Sequence, residues 1–152
     1  RLCLVTVDDP QLLIDLVAHC SQESLFLRFH TGMSELRPAM AEKLVQTPGV
    51  GLLNSRGRLV ADARYIRARN EEHELSILIS DKYQGRGLGS ALLSVLLLQA
   101  AEDGIDTLNA DVLASNDPML ALLEKLAPVE SLGYEDGARR LRLSLAPVAM
   151  VA

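Results

Sequence analysis

The sequence predicts an α/β domain built on a mixed sheet with helices on both faces. The chain has 152 residues, of which 49% are hydrophobic, so it can form one domain with an apolar core. A predicted strand–helix–strand–helix run occupies the centre of the chain, and predicted hairpins flank it on both sides. This order is typical of a mixed sheet that is covered by helices on its two faces.

The N-terminal third is predicted to hold one strand and then helical segments, at residues 2–7, 8–20, 21–30 and 34–45. Asp8 or Asp9 can cap the first helix with its side-chain oxygen. Pro10 is suited to the first turn of that helix, where a missing backbone N–H costs nothing.

The middle of the chain begins with a predicted hairpin, whose strands are residues 50–53 and 58–67 around the turn Asn54-Ser55-Arg56-Gly57. Arg64, Arg67 and Arg69 are expected on a solvated part of this hairpin. A further strand is predicted at residues 73–80, and it leads into a glycine-rich turn.

The C-terminal half is predicted to alternate between helices and strands, with helices at 87–101 and 118–126 and strands at 106–113, 130–132 and 139–145. Asn116 or Asp117 can cap the second of these helices. We expect residues 1–146 to form the domain and residues 147–152 to form a flexible tail. Because the chain begins at Arg1 rather than Met, we expect a domain taken from a longer protein.

Composition excludes several classes of function. The net charge of −5 argues against a nucleic-acid-binding protein, which usually carries a basic stripe. Cys3 and Cys20 form no CxxC pair and the histidines lack metal-ligand spacing, so no metal site is expected. The most apolar stretch, residues 88–101, is too short to span a bilayer. We therefore expect a cytoplasmic protein with no membrane partner.

The most informative segment runs from Ile77 to Leu93 and contains Gln84-Gly85-Arg86-Gly87-Leu88-Gly89 at the start of a helix. Glycines let the backbone pass close to a ligand, and the unpaired N–H groups of a helix start attract anions. Arg86 adds a cation and Gln84 a neutral donor, so the segment predicts a pyrophosphate site. Two alternatives are a purely structural turn and a dinucleotide-binding fingerprint, since Gly85-x-Gly87-x-x-Ser90 is close to G-x-G-x-x-A. The second normally follows the first strand of a doubly wound domain.

Gln84, Gly87 and Gly89 match the Gln/Arg-x-x-Gly-x-Gly/Ala motif, and in this respect the chain resembles the GNAT acetyltransferases. The resemblance covers nearly the whole chain and implies a mostly antiparallel sheet of six to seven strands. It also implies that acetyl-CoA is the co-substrate. Its pantetheine arm would lie along Ile77, Leu78 and Ile79, and Asn116 would lie near it. The residues that would surround its pyrophosphate are Gln84, Gly85, Arg86, Gly87, Leu88, Gly89 and Ser90.

Four strings give a closer resemblance, to the acetyltransferase domain of bacterial protein lysine acetyltransferases: SQESLFLRF, LVADARYIR, HELSILISDKYQGRGLG and DVLASNDPMLALLEKL. This resemblance implies acetylation of protein lysine side chains and a regulatory domain fused to the acetyltransferase domain. Acetylation of a small-molecule amine is the alternative substrate class. A non-catalytic acetyl-CoA-binding sensor is an alternative of a different kind.

Acetyl transfer needs a neutral amine, whereas a free lysine side chain has a pKa of ~10.4. A carboxylate in an apolar cleft can take up the amine proton, directly or through water. The resemblance implies that Glu74 is this general base, with Glu72 in reserve, and we expect Glu71 and Glu72 to face solvent. It also implies that a backbone N–H near Leu78 or Ile79 stabilises the oxyanion.

Many GNAT enzymes have a tyrosine seven residues after the asparagine, where it donates a proton to the leaving thiolate. Leu123 occupies that position here, so the resemblance predicts no general acid there. A thiol with a pKa of ~8.5 can leave unprotonated. Tyr65 and Tyr134 are candidate substitutes, while Tyr83, beside the glycine motif, is expected to pack against the turn.

Overall fold

The structure, a computed structural model, describes residues 1–21, 35–68 and 70–145. Within these residues the strands are β1 Cys3–Thr6, β2 Gly49–Leu53, β3 Leu59–Arg67, β4 His73–Ile79, β5 Thr107–Leu113, β6 Val129–Glu135 and β7 Ala138–Ser144. The α-helices are α1 Pro10–Ala18, α2 Pro38–Val45, α3 Leu88–Glu102 and α4 Asp117–Leu126. The predicted helical segment at 21–30 and the predicted tail at 147–152 fall, apart from Ser21, outside the described residues.

The seven strands form one sheet in the order β1-β2-β3-β4-β5-β7-β6. Every neighbouring pair is antiparallel except β4 and β5, which are parallel. The prediction of a mixed, mostly antiparallel sheet of six to seven strands is therefore confirmed. Because β5 runs parallel to β4, the chain needs a crossover between them, and α3 supplies it.

Helices cover both faces of the sheet, as predicted. On one face α1 and α2 pack with Val7, Leu59 and Leu78. On the other face the apolar side of α3 and Leu123 of α4 pack on the small side chains Ala61 and Ala63 and on neighbouring strands. Side chains alternate along a strand, so odd-numbered residues of β4 face α3 and even-numbered ones face the α1 and α2 side.

The parallel strands β4 and β5 are joined in register at a single pair, Glu74 with Asn109. β4 continues to pair with β3 as far as Ile79, which lies opposite Ala61. Beyond Glu74, therefore, β4 is paired on one side only. Its other side faces an opening between β4 and β5.

Helix starts follow the local chemistry of capping and proline. The Asp9 side chain caps α1 by accepting a hydrogen bond from the Gln11 N–H at 3.0 Å, and Pro10 follows it as predicted. The sequence predicted that α2 starts at residue 34, but residues 35–37 are not helical and the helix begins at Pro38. A residue before proline is disfavoured in the helical region, and Arg37 is extended with ψ 146°.

The last two strands form a longer hairpin than predicted. β6 runs from Val129 to Glu135, whereas the sequence predicted residues 130–132 alone. Asp136 and Gly137 turn the chain with φ values of 52° and 78°, which matches the Asp-Gly turn that joins twisted antiparallel strands. A bulge between Ser131 and Gly133 interrupts the ladder and hides the alternating pattern.

Arg64 is buried, and the expectation that it lies on a solvated hairpin was wrong. Its guanidinium group forms a two-point ion pair with the buried Asp62, with Nη2–Oδ1 and Nε–Oδ2 distances of 2.6 and 2.9 Å. It also donates to the carbonyl oxygens of Leu44 and Thr47. This arginine therefore ties β3 to the end of α2. Arg67, by contrast, is exposed and pairs with Glu71.

No described helix combines the length and apolar character that a membrane crossing requires.

Candidate active site

A cleft of about 530 Å³ lies where β4 ends and α3 and α4 begin. Of the residues predicted to bind the cofactor, those that line the cleft are Ile77, Leu78, Ile79, Gln84, Gly85, Gly87, Gly89, Ser90 and Asn116. Pro118, Met119 and Leu122 of α4 complete a mostly apolar wall. The structure thus brings together residues from three separate segments of the chain. Arg86 and Leu88 are not among the lining residues.

The glycine-rich turn gives the cleft an unusual helix start. Gly85 and Gly87 have φ values of 74° and 77°, in the left-handed region that side-chain-bearing residues rarely adopt. Gly87 is the N-cap of α3, and no side chain caps the helix there. The N–H groups of the first turn of α3 are therefore available to an anion in the cleft, and the helix dipole favours one.

Gly89 has a different role, because it lies inside α3 against the cleft wall. A Cβ at this position would come within 3.3 Å of Ile79 Cδ1 and of Leu122 Cδ2. This is tighter than ordinary packing. The missing side chain lets the start of α3 lie close to both β4 and α4.

Two polar residues of the cleft also hold its backbone in place. The Gln84 side-chain amide donates to the Ile79 carbonyl oxygen at 2.9 Å and so closes the turn after β4. Asn116 caps α4, since its Oδ1 accepts a hydrogen bond from the Met119 N–H at 3.4 Å. The predicted capping of this helix by Asn116 or Asp117 is thus fulfilled by Asn116.

Arg86 lies on the outer side of the same turn. Its guanidinium group stacks over the Tyr83 ring at 5.3 Å and borders a groove of about 470 Å³. Among the described residues, the other cationic side chains that line this groove are Arg1, Arg56, Arg58 and Lys82, and Asp15 contributes a carboxylate. In a chain of net charge −5, this groove concentrates positive charge beside the cleft.

Glu74 lies on the opposite face of the sheet from the side chains of Ile77 and Ile79. Its carboxylate pairs with Arg140 at 3.2 Å, and Arg140 also contacts both oxygens of Asp111 at 3.0 and 3.1 Å. Burial lowers the pKa of Arg140, but the hydrogen bonds and charges of Glu74 and Asp111 outweigh this and raise it. Glu74 is therefore held by a permanent cation, in a polar environment and not in an apolar one.

Glu72 is also held in the network of this face. It accepts hydrogen bonds from the side-chain amide of Asn109 and, at 3.4 Å, from Arg142. The expectation that Glu72 faces solvent was therefore only half right, because the side chain is 39% exposed but tied to β5 and β7. These partners lie more than thirty residues away along the chain, so no local sequence pattern indicates them.

A small cavity of about 50 Å³ lies between β4 and β5 and is lined by residues of both strands. It shares Ile77, Asn116 and Met119 with the cleft. It reaches Asp111 of the ion-pair network and is closed on the α4 side by Leu123. Ser76 also lines it, and its buried hydroxyl has no hydrogen-bond partner among the described residues.

The family model of the acetyltransferase (GNAT) family matches residues 19–127, which is most of the chain. The chain belongs to the GNAT acetyltransferase family. The family prediction from the glycine motif is thereby confirmed.

Relatives of this GNAT domain include the acetyltransferase Pat of Mycolicibacterium smegmatis, which is 32% identical over 126 residues. That match covers 74% of this chain but only 37% of the relative, so the chain spans well under half of its length. The solved GNAT domain of S. lividans PAT is 29% identical with a TM-score of 0.81, and the match covers 95% of this chain and 90% of that one.

A phosphinothricin acetyltransferase from Sinorhizobium meliloti, solved in complex with AcCoA, has the same fold. It is 21% identical, with a TM-score of 0.71, and the match covers 95% of this chain and 88% of that one.

None of the three tyrosines of the GNAT domain lines the cleft or the small cavity. Tyr65 is buried on the α3 side, where burial and its hydrogen bond to Asp103 raise its pKa. Tyr134 is exposed and bonded to Arg139. Tyr83 packs under Arg86 at the outer groove, as expected for a residue that supports the turn. Among the described residues, no group of three or more side chains is placed to hold a metal ion.

Proposed function

We propose that this domain transfers the acetyl group of acetyl-CoA to a primary amine. The observation that carries the proposal is the apolar cleft that ends at an uncapped helix start. A pantetheine arm is long and combines apolar carbons with amide groups, and the cleft offers it the edge of β4 at Ile77, Leu78 and Ile79 that does not pair with β3, where Gln84 holds the Ile79 carbonyl oxygen. A pyrophosphate needs N–H donors and a helix dipole, which the turn from Gln84 to Ser90 supplies.

The nucleotide end of acetyl-CoA would pass over the turn towards the basic groove. Arg86 borders that groove, not the cleft, so we assign it to the phosphates on the outer side of the turn. Leu88 contributes its backbone N–H rather than its side chain. Bound acetyl-CoA would supply an activated thioester, and the protein residues would supply position and proton transfer.

We assign the general base to Glu74. It lies two residues before Ser76 on the same strand face, and Ser76 lines the small cavity that shares Ile77, Asn116 and Met119 with the cleft. An amine that approaches from the α1 and α2 side would meet Glu74 before it reaches the end of the pantetheine arm. Arg140 fixes the orientation of the Glu74 carboxylate, and one of the carboxylate oxygens stays available to accept the amine proton, directly or through water.

Protein lysine side chains are the acceptor class we propose, supported by the four strings that resemble bacterial protein lysine acetyltransferases. Small-molecule amines are the alternative acceptors, since one structural neighbour is a phosphinothricin acetyltransferase. We also propose that residues 1–146 form the acetyltransferase domain. A fused regulatory domain and a cytoplasmic location remain predictions.

A non-catalytic acetyl-CoA sensor is the second candidate function. Two observations favour it, namely that Glu74 is engaged by Arg140 and that Leu123 presents no proton donor. The sensor would bind acetyl-CoA in the same cleft, so binding alone does not separate the two functions.

The deciding experiment measures thiol release from acetyl-CoA with lysine-containing proteins, lysine peptides and free polyamines as acceptors. Release together with acetylated lysine, identified by mass spectrometry, supports the proposed function. Release only with free amines supports small-molecule acetylation. Binding by calorimetry without release on any acceptor supports the sensor, and no binding contradicts both.

A further inference from the structure

We propose that the Ser76 hydroxyl donates a hydrogen bond to the sulfur of coenzyme A and stabilises the thiolate that leaves during acyl transfer. This proposal rests on the proposed function, because it needs the pantetheine arm in the cleft. It adds a catalytic residue that neither the glycine motif nor the Glu74 assignment provides.

The first argument is the state of the hydroxyl itself. Ser76 Oγ is a buried polar atom with no hydrogen-bond partner among the described residues. A buried donor left unpaired is unfavourable, and such atoms in proteins usually have a ligand or water as partner. Ser76 lies in the middle of β4, opposite Arg64 of β3, yet Arg64 directs its donors to Asp62, Leu44 and Thr47.

The second argument is the cavity that adjoins Ser76. Ser76 lines the cavity of about 50 Å³ between β4 and β5, and this cavity continues the cleft through Ile77 and Met119. An arm that runs along β4 from Ile79 towards Ile77 would bring its reactive end to this cavity. Leu123 forms the opposite wall and is fully buried, so that wall offers no donor to a developing charge.

The chemistry assigns one function to each group. The neutral amine nitrogen attacks the thioester carbonyl carbon, and its proton passes to Glu74, which lies about 7 Å along the strand from Ser76. The carbon–sulfur bond then breaks, and its electron pair leaves on sulfur as a thiolate. Ser76 keeps its proton and donates a hydrogen bond to that thiolate, so no additional proton donor or acceptor is needed.

The test compares binding of coenzyme A with that of desulfo-coenzyme A, which lacks the sulfur, by calorimetry from about pH 7 to about pH 10. A free thiol ionises near pKa ~8.5, so the parent protein should increasingly prefer coenzyme A across this range. We expect the preference to reach roughly 10- to 100-fold, the usual effect of a hydrogen bond to a charged group. Desulfo-coenzyme A corrects for every other group that titrates.

Ser76→Ala should remove most of this preference while desulfo-coenzyme A still binds as it does to the parent. Ser94→Ala is the matched control, because Ser94 is exposed on α3 and bonds only to the Ser90 carbonyl oxygen. Ser76→Thr and Ser76→Val form a second pair of equal shape, of which only the threonine should keep the preference. This pair decides the question even if the alanine variant folds poorly.

The outcomes separate this proposal from the proposed function. If both ligands bind the parent and Ser76→Ala keeps the full pH-dependent preference for coenzyme A, the Ser76 proposal is wrong and the cleft assignment stands. If neither ligand binds the parent, the cleft assignment is wrong and the Ser76 proposal fails with it. Loss of the preference together with a roughly 10- to 100-fold fall in kcat supports both.

Discussion

Glu74→Gln removes the charge of the proposed base while it keeps the shape of the side chain and one hydrogen-bonding oxygen. Glu74 does not line the 530 Å³ cleft, so acetyl-CoA affinity should be nearly unchanged. Arg140 would retain Asp111 at 3.0 Å, and both partners of the lost ion pair are partly exposed, at 29% and 42%. The free energy of unfolding should therefore fall by less than about 1 kcal/mol.

Turnover should respond far more strongly than binding or stability. A placed general base contributes roughly 100- to 10,000-fold to the rate, so Glu74→Gln should lower kcat by that factor. The defect should shrink as pH rises. Below the lysine pKa of ~10.4, each unit by which the pH rises increases the neutral fraction of the amine about tenfold. The variant depends wholly on this neutral amine. The variant's rate should therefore climb with pH more steeply than that of the parent.

The assay is thiol release with a lysine peptide from about pH 7 to about pH 9.5, with calorimetry and circular dichroism on the same preparations. Glu71→Gln is the matched control. Glu71 forms an exposed ion pair with Arg67, with an N–O distance of 2.8 Å, and it does not line the cleft. Parent-like turnover of Glu74→Gln at neutral pH would refute the assignment, and Glu72 would be tested next. Inactivity at every pH would indicate a distorted site instead of a lost base.

Gly87→Ala should weaken acetyl-CoA binding in calorimetry with the fold retained, because φ 77° strains any residue with a Cβ by ~1–2 kcal/mol. Gly104→Ala is the control, because Gly104 has φ 84° and lies beyond the far end of α3, so it should lose similar stability and keep its affinity for acetyl-CoA. Equal affinities in the two variants would mean that the glycine turn has a structural role and does not bind the cofactor. Arg86→Ala should weaken coenzyme A binding roughly 10- to 100-fold and pantetheine binding little, since a charged phosphate contact contributes ~1.5–3 kcal/mol. Equal losses for the two ligands would move Arg86 away from the phosphates. Asp62→Ala leaves Arg64 buried without its anion, so chemical denaturation should show a loss of ~3–5 kcal/mol, and a loss below ~1 kcal/mol would contradict the role given to this pair.

The sequence predicted the fold well where local signals are strong. Asp9 and Asn116 cap their helices as expected, and the glycine turn lies where β4 meets α3. The start of α2 was predicted too early, because Pro38 keeps Arg37 extended and the helix begins only at the proline. The length of β6 was missed although Asp136-Gly137 is a strong hairpin signal, since the bulge at Leu132 breaks the alternation of side chains.

The cleft could be predicted because its residues lie in a few contiguous strings around one motif. The polar face of the sheet, which carries Glu74, Asp111 and Arg140, could not be predicted, because its contacts join residues that are distant in sequence. Nothing near Glu74 in the chain indicates Arg140, which is placed beside it by the pairing of β5 with β7. The burial of Arg64 was not predicted for the same reason, since it bonds to the carbonyl oxygens of Leu44, at the end of α2, and Thr47, just after it, about twenty residues away.

One feature of the topology accounts for both halves of the site. Because β4 and β5 are parallel, the chain must cross over between them, and the crossover helix α3 necessarily begins at the carboxyl end of β4. That placement directs the uncapped N-terminus of α3 at the cleft. The same parallel pair is joined only at Glu74 and Asn109, so the strands leave a passage beside Ser76.

With the proposed assignments, cofactor binding and proton transfer would be supported from opposite faces of the sheet. The glycine turn and α4 shape the cleft on the α3 face, whereas Glu74, Asp111 and Arg140 lie on the α1 and α2 face. Among the described residues, the small cavity between the strands is lined both by Ser76 and Asp111 and by residues of the cleft. Substitutions on the polar face should therefore change turnover and acceptor preference with little effect on acetyl-CoA affinity. Substitutions in the glycine turn should first change affinity, because Arg140 is bonded to Asp111 and Glu74, and none of these three residues lines the cleft among the described residues.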